Sequence, residues 1–162
     1  MPTPTALSLR LQVINRIETV LKAITTGATF WVTPYQVTKR LILLEQAQGF
    51  PVYMVFSGAG GSGGIEHSGA SDEYDETFRV IVKGIVQDNS DTVTALEKSI
   101  QDIRLAINTD STSGVAGTLG TLAIQTLMYG QVETDEGLLS DEGFAYFEQP
   151  VDITIAGRFG EL

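Results

Sequence analysis

Few side chains in this sequence are equipped for chemistry. Its 162 residues include no cysteine and one histidine. Without cysteine there is no thiol nucleophile, no disulfide scaffold and no thiolate zinc site. His67 lies between Glu66 and Ser68 in the stretch 57–71, Ser-Gly-Ala-Gly-Gly-Ser-Gly-Gly-Ile-Glu-His-Ser-Gly-Ala-Ser. A catalytic histidine needs a base-orienting partner brought to it by packing, which adjacent residues in a glycine-rich loop do not supply. A surface histidine is the simpler reading. The glycines invite comparison with a phosphate cradle, but that chemistry needs a lysine and a following helix N-terminus. Residues 57–71 contain no basic residue.

Two acidic clusters remain: Asp72, Glu73, Asp75 and Glu76, then Glu133, Asp135, Glu136, Asp141 and Glu142. Carboxylates suit Ca²⁺ or Mg²⁺. However, Asp135-Glu136-Gly137 and Asp141-Glu142-Gly143 lack the spacing of a calcium loop and read as turn chemistry. No catalytic, metal-binding or cofactor-binding residue is assigned, and no cofactor is expected. A small carboxylate-dependent metal binder or enzyme stays open as an alternative. Trp31, close to Pro34, is marked as an interface anchor, because tryptophan dominates many contact surfaces.

The elements that position these groups follow from periodicity. Residues 7–24 carry Leu7, Leu11, Ile14, Ile17, Leu21 and Ile24 at spacings of three and four, which predicts an amphipathic helix ending near Gly27. Thr29 to Thr33 is β-branched and aromatic and predicts a short strand; residues 35–45 are ambiguous between strand and helical turn. Phe50 to Phe56 predicts a strand. Tyr74 to Gln87 alternates, with Phe78, Val80, Val82 and Val86 on one face and Arg79, Ile81, Lys83 and Ile85 on the other. Gly84 interrupts the first set and marks a bulge or a close backbone approach. Residues 91–107 predict a second helix through Val93, Leu96, Ile100, Ile103 and Ile107, with Lys98, Gln101, Asp102 and Arg104 toward solvent. Leu122–Glu133 and Phe144–Ile155 predict a closing antiparallel pair.

The expected class is α+β: an antiparallel or mixed sheet of about five strands with two main helices packed on it. A single domain spans 1–162, as the length suggests. Its less regular parts are an arm at 1–6, the glycine-rich loop at 57–71, a loop at 108–121 and an acidic hairpin tip at 134–143. No targeting segment is expected. No apolar run approaches the roughly 20 residues of a membrane span, so no membrane partner is expected.

Charge adds a constraint on partners. The chain has 20 acidic and 10 basic residues, for a net charge of −10. Coating of nucleic acid is disfavoured, because phosphate contacts need an excess of Lys and Arg. Residues 1–57 hold Arg10, Arg16, Lys22, Lys39 and Arg40 against Glu18 and Glu45, a net of +3; the remainder carries −13. Such asymmetry concerns surfaces and association, or simply solubility.

The linear order carries a resemblance. An amphipathic helix is followed by Val37-Thr38-Lys39-Arg40, then Phe50-Pro51-Val52-Tyr53-Met54-Val55, a variable loop and the long alternating strand. A helix opening Asp91-Thr92-Val93 and closing Asp102-Ile103-Arg104-Leu105-Ala106-Ile107 comes next, then a strand, the turn Asp135-Glu136-Gly137 and a last alternating strand. Over residues 9–156 this order resembles the tail terminator (tail completion) and minor tail proteins of long-tailed bacteriophages. The resemblance implies a non-catalytic subunit of a homo-oligomeric ring, a hexamer in that family. The ring caps the tail tube protein, stops tube growth and meets a head-side connector or neck protein. DNA passes through its lumen without specific binding, and the protein resides in the virion after assembly in the host cytoplasm. A head–tail stopper or a tail tube subunit is the alternative within the same class. In a ring, Arg10, Arg16, Lys39 and Arg40 would meet acids of 72–76 or 133–142 on the next subunit, or those acids would line the lumen.

Overall fold

Two 15-residue strands form the spine of the molecule. β4 (Glu73–Gln87) and β9 (Phe144–Arg158) pair antiparallel along their whole length, from Glu73 opposite Arg158 to Gln87 opposite Phe144. The computed structural model describes residues 8–58, 65–67, 73–112, 117–120, 122–135 and 143–158. Among them, β1 (Gln36–Thr38) runs parallel to β2 (Val52–Gly58), and β2 pairs antiparallel with β4. On the other side of β9 come β7 (Leu122–Tyr129), β6 (Gly117–Leu119) and β5 (Ser111–Thr112). β3 (Ile65–His67) adds to β4, and β8 (Glu133–Thr134) adds to β9. The sheet is therefore mixed, as expected. It has nine described strands, not about five; the surplus comes from segments of two or three residues that periodicity is too short to reveal.

Two helices, α1 (Leu9–Lys22) and α2 (Thr92–Asp110), cover one face of the sheet. Each starts where a side chain takes an orphan amide. Ser8 Oγ accepts from Leu11 N at 3.3 Å, and Asp91 Oδ1 accepts from Thr94 N at 3.0 Å. Just before α2, Asp88 accepts from Ser90 Oγ and from the amides of Ser90 and Asp91. The Ser90 hydroxyl and then these amides favour its charged form and hold its pKa down at about 2.

Both helices bury most of the stripes that the spacing predicts; Leu11 and Val93 are corrected, since each stands exposed near the start of its helix, beyond the reach of the sheet, and Leu7 lies outside the described residues. Val13, Ile17 and Leu21 of α1 and Ile100, Ile103 and Ile107 of α2 meet Phe78, Val80, Val82, Phe147, Val151 and Ile153 of the sheet. Fully burying one such side chain contributes about 1.5–3 kcal/mol. The opposite face is covered only in part. There, Val52, Met54 and Ile85 form a second small core under Ile42, Leu44 and Phe50, from the chain between β1 and β2. The ambiguous segment 35–45 resolves into β1 and a 3₁₀ turn at Leu44–Gln46.

Gly84 is a close approach. It sits opposite Phe147 in the β4–β9 register, and a Cβ there would overlap Cε1 and Cζ of the Phe147 ring and lie 3.0 Å from Cδ1. The ring also packs edge-on against Tyr53, with centroids 6.3 Å apart.

Several expectations are corrected. Thr29–Thr33 forms no strand: the chain turns, with one bridge between Thr26 and Phe30. Its amides go elsewhere, Thr33 N to Thr26 Oγ1 at 2.7 Å and those of Trp31 and Val32 to Asp102. α1 ends at Lys22, short of Gly27, and α2 runs on to Asp110. Within 108–121, the end of α2, β5 and β6 replace the expected loop. The strand expected over 122–133 is divided, with β7 ending at Tyr129 and β8 beginning at Glu133. Within 57–71, residues 57–58 close β2 and 65–67 form β3. The arm 1–6 and most of the acidic tip, 136–142, lie outside the described residues.

Candidate functional site

The candidate residues divide into those that the fold uses internally and those that it leaves on the surface. Arg10, on α1, places Nε 3.7 Å from Glu76 and its guanidinium 5.2 Å from the centroid of Phe78. Arg16 forks onto Asp110 at the end of α2; Nε donates to Oδ2 at 2.8 Å, and Nη2 donates to Oδ1. That hydrogen bond stabilises the charged guanidinium and raises its pKa. Lys39 donates to Asn15 Oδ1 at 2.6 Å and lies 3.3 Å from Glu18, which also holds Lys22 at 2.9 Å. Partial burial works to raise the Glu18 pKa, but hydrogen bonds from Lys22 and Lys39 outweigh it and the net shift is downward. Three of the four basic candidates thus tie α1 to the rest of the fold.

Arg40 is different. It is exposed just past β1, and among the described residues its side chain has no ion pair, hydrogen bond or ring partner.

The acidic candidates are dispersed in the same way. Asp75 accepts from Gln125 Nε2 at 2.5 Å, and Glu76 faces Arg10. Glu73 and Asp135 each engage another group. Glu133 is exposed on β8 with no ion pair among the described residues. Asp72, Glu136, Asp141 and Glu142 lie outside the described residues. Among those described, no three His, Cys, Asp or Glu side chains gather where they could hold a metal, and no helix is long and apolar enough to cross a membrane.

Trp31 is 55% exposed, and Lys98 Nζ stands 5.1 Å from its ring centroid. The pair borders an open cleft of about 670 Å³ along α2, with Val93, Arg104 and Leu105 further along it.

Sequence reasoning missed two groups. Asp102, placed toward solvent, is fully buried; its carboxylate accepts from Trp31 N at 2.9 and 3.0 Å and from Val32 N at 2.9 Å. A signal existed, because Ser99, Asp102 and Ala106 follow one another at +3 and +4, on the side of α2 that also buries Ile103. The second group is a charge ladder on the helix-free face. Arg79 forks onto Asp152 at 2.8 and 2.9 Å, and Lys83 pairs with Glu148. Beside it, Thr154 Oγ1 meets Thr77 Oγ1 at 2.9 Å and Thr126 Oγ1 at 3.0 Å. Arg79 and Lys83 are spaced by four, as are Glu148 and Asp152 in reverse. Oppositely charged pairs at matching spacing select one antiparallel register.

No protein-family model and no curated protein matches the chain. Among solved structures, its fold is similar to that of a chain from the virion of a native gene transfer agent (GTA) particle. That alignment has a TM-score of 0.58 and 7% identity, and covers 94% of this chain and 100% of the other. A second solved structure aligns with a TM-score of 0.45 and 15% identity, over 94% of this chain and 96% of the other.

Proposed function

We propose that this chain is a non-catalytic structural subunit of a phage-like particle, and specifically its tail terminator. In this role, copies form a ring, hexameric in the family that the sequence resembles. The ring seats on the last turn of the tail tube, blocks further addition of tube protein and offers its other side to a head-side connector or neck protein. DNA crosses the lumen without being bound. A net charge of −10 suits that passage, since excess carboxylates repel phosphates. The residues do mechanical work: they hold a rigid sheet and leave surface groups for neighbouring subunits.

The observation that carries this reading is the end-to-end fold likeness to a chain of the GTA virion, over 94% of this chain and all of the other. The order of motifs in the sequence favours the terminator over a head–tail stopper or a tube subunit. The test is tube length. Tail tube protein polymerised with the purified chain should give short tubes capped by a ring at one end. Tubes of unchanged length and bare ends would refute the terminator role. Incorporation of the chain along the whole tube would identify it as a tube subunit instead.

A further inference from the structure

The paired strands place Thr38, Met54, Lys83, Glu148 and Glu133 in one row across the sheet. Thr38 ends the edge strand β1, and Glu133 begins the strand at the opposite edge, β8. Four strand spacings separate them, roughly 19 Å. Each end of this row carries surplus side chains of complementary kind.

At the β1 edge, the segment 35–43 exposes Tyr35 (57%), Leu41 (57%) and Leu43 (45%) around Arg40. Arg40 is the one basic side chain without a partner among the described side chains. Tyr35 is held in place by Gly49, where a Cβ would lie 2.5 Å from its ring. At the opposite edge, Met128 on β7 is 65% exposed and Glu133 is exposed. Arg79 and Lys83, the bases nearest to Glu133 on the sheet face, already hold Asp152 and Glu148. β6 covers β7 only as far as Ile124, so beyond it the outer sides of β7 and β8 have no strand partner among the described residues.

One edge therefore offers leucines and an unpaired cation. The other offers Glu133, an exposed carboxylate with no direct ion pair that acts on Arg79 and Lys83 only through its field, and Met128, which lies opposite Asp152, four residues along β9 from the Glu133 row. Two different patches on opposite edges, each complementary to the other, make a head-to-tail contact that closes into a ring when the rotation allows it. We infer that the β1 edge (Tyr35, Arg40, Leu41, Leu43) docks on the β7–β8 edge (Met128, Glu133) of a second copy of this chain. The occupant of each edge is thus the same protein. The inference rests on the ring reading above and names the contact that builds the ring. It also selects Arg40 and Glu133 from the candidate charges and sets aside Arg10, Arg16 and Lys39, which are satisfied within the chain.

The absence of cysteine makes the test direct. A disulfide needs Cα atoms about 4.4–6.8 Å apart, so positions 41 and 128, near opposite edges, cannot bridge within one chain. The full chain carrying both Leu41→Cys and Met128→Cys, oxidised mildly, should give a ladder of covalent oligomers ending in a closed ring. Each single variant should give no ladder. Independently, Arg40→Glu and Glu133→Arg should each raise the concentration needed for assembly about tenfold, and the double reversal should restore wild-type assembly. Wild-type rings in native mass spectrometry with no ladder, and with no effect of either reversal, would overturn this interface and leave the ring standing. A wild-type chain that stays monomeric at every concentration, with and without tube protein, would overturn both. Disulfides formed only to tube protein would assign these edges to a different partner and overturn the inference.

Discussion

Replacing Gly84 by alanine should destabilise the fold, although the same change in a strand ordinarily stabilises it. Gly→Ala removes backbone freedom from the unfolded chain and gains about 0.4–1 kcal/mol where the site has room. At Gly84 it does not. The new Cβ would overlap Cε1 and Cζ of Phe147 and lie 3.0 Å from Cδ1, well inside the roughly 3.5–4.0 Å optimum for carbon contacts. Phe147 has no free direction of retreat, because it is fully buried and its ring meets Tyr53 at 6.3 Å. Overpacking of this kind costs about 1–3 kcal/mol, which outweighs the entropic gain. The midpoint of urea unfolding should therefore fall with an unchanged slope, and thermal unfolding should drop by about 2–8 °C for a chain of this size. Phe147→Leu alone opens a cavity and is itself destabilising. Combined with Gly84→Ala, it should cost less than the sum of the two, since the leucine yields the space that the methyl needs. A Gly84→Ala variant as stable as wild type, or a double variant that is simply additive, would refute the steric account of the glycine.

Three further outcomes are expected. Asp102→Ala strips acceptors from the amides of Trp31 and Val32 and should cost about 2–3 kcal/mol in urea unfolding. As Trp31 is the only tryptophan, its emission should change in the folded variant as well. Asp88 has its pKa lowered from 3.8 to about 2, so its contribution is fully present above pH 3.8 and is lost as the pH falls toward 2. Asp88→Asn should flatten the pH dependence of stability in that window and leave its slope above pH 5 unchanged. Arg79→Ala should leave the midpoint of chemical denaturation close to that of the wild type, since the pair with Asp152 is open to solvent and screened; a large drop would contradict this.

Long periodic segments were the legible part of this fold. The alternation of Phe78, Val80 and Val82 against Arg79 and Lys83 located β4, and Phe147, Val151 and Ile153 located β9, because each set meets one apolar face. Spacings of three and four located both helices to within about two or three residues. The failures have physical causes. Thr29–Thr33 has strand-like residues, but its amides are taken by Asp102, which lies 70 positions away in sequence for Val32 and 71 for Trp31. Local propensity cannot register such a competitor. Asp102 itself was misplaced because a charged residue on a helix usually points to water. β5, β6 and β8 are too short to carry a period. For the candidate site, residue types were legible and availability was not. Arg10, Arg16, Lys39 and Arg40 are equivalent as letters; only the fold separates three tied cations from one free one.

The terminator reading stands or falls on what this protein does to a growing tube. The most direct measurement is electron microscopy of tail tubes polymerised with and without the purified chain. The account predicts rings with an open lumen in the protein alone, and tubes that stop short with one ring at an end when it is present. Dispersed monomers beside tubes of unaltered length and bare ends would contradict it.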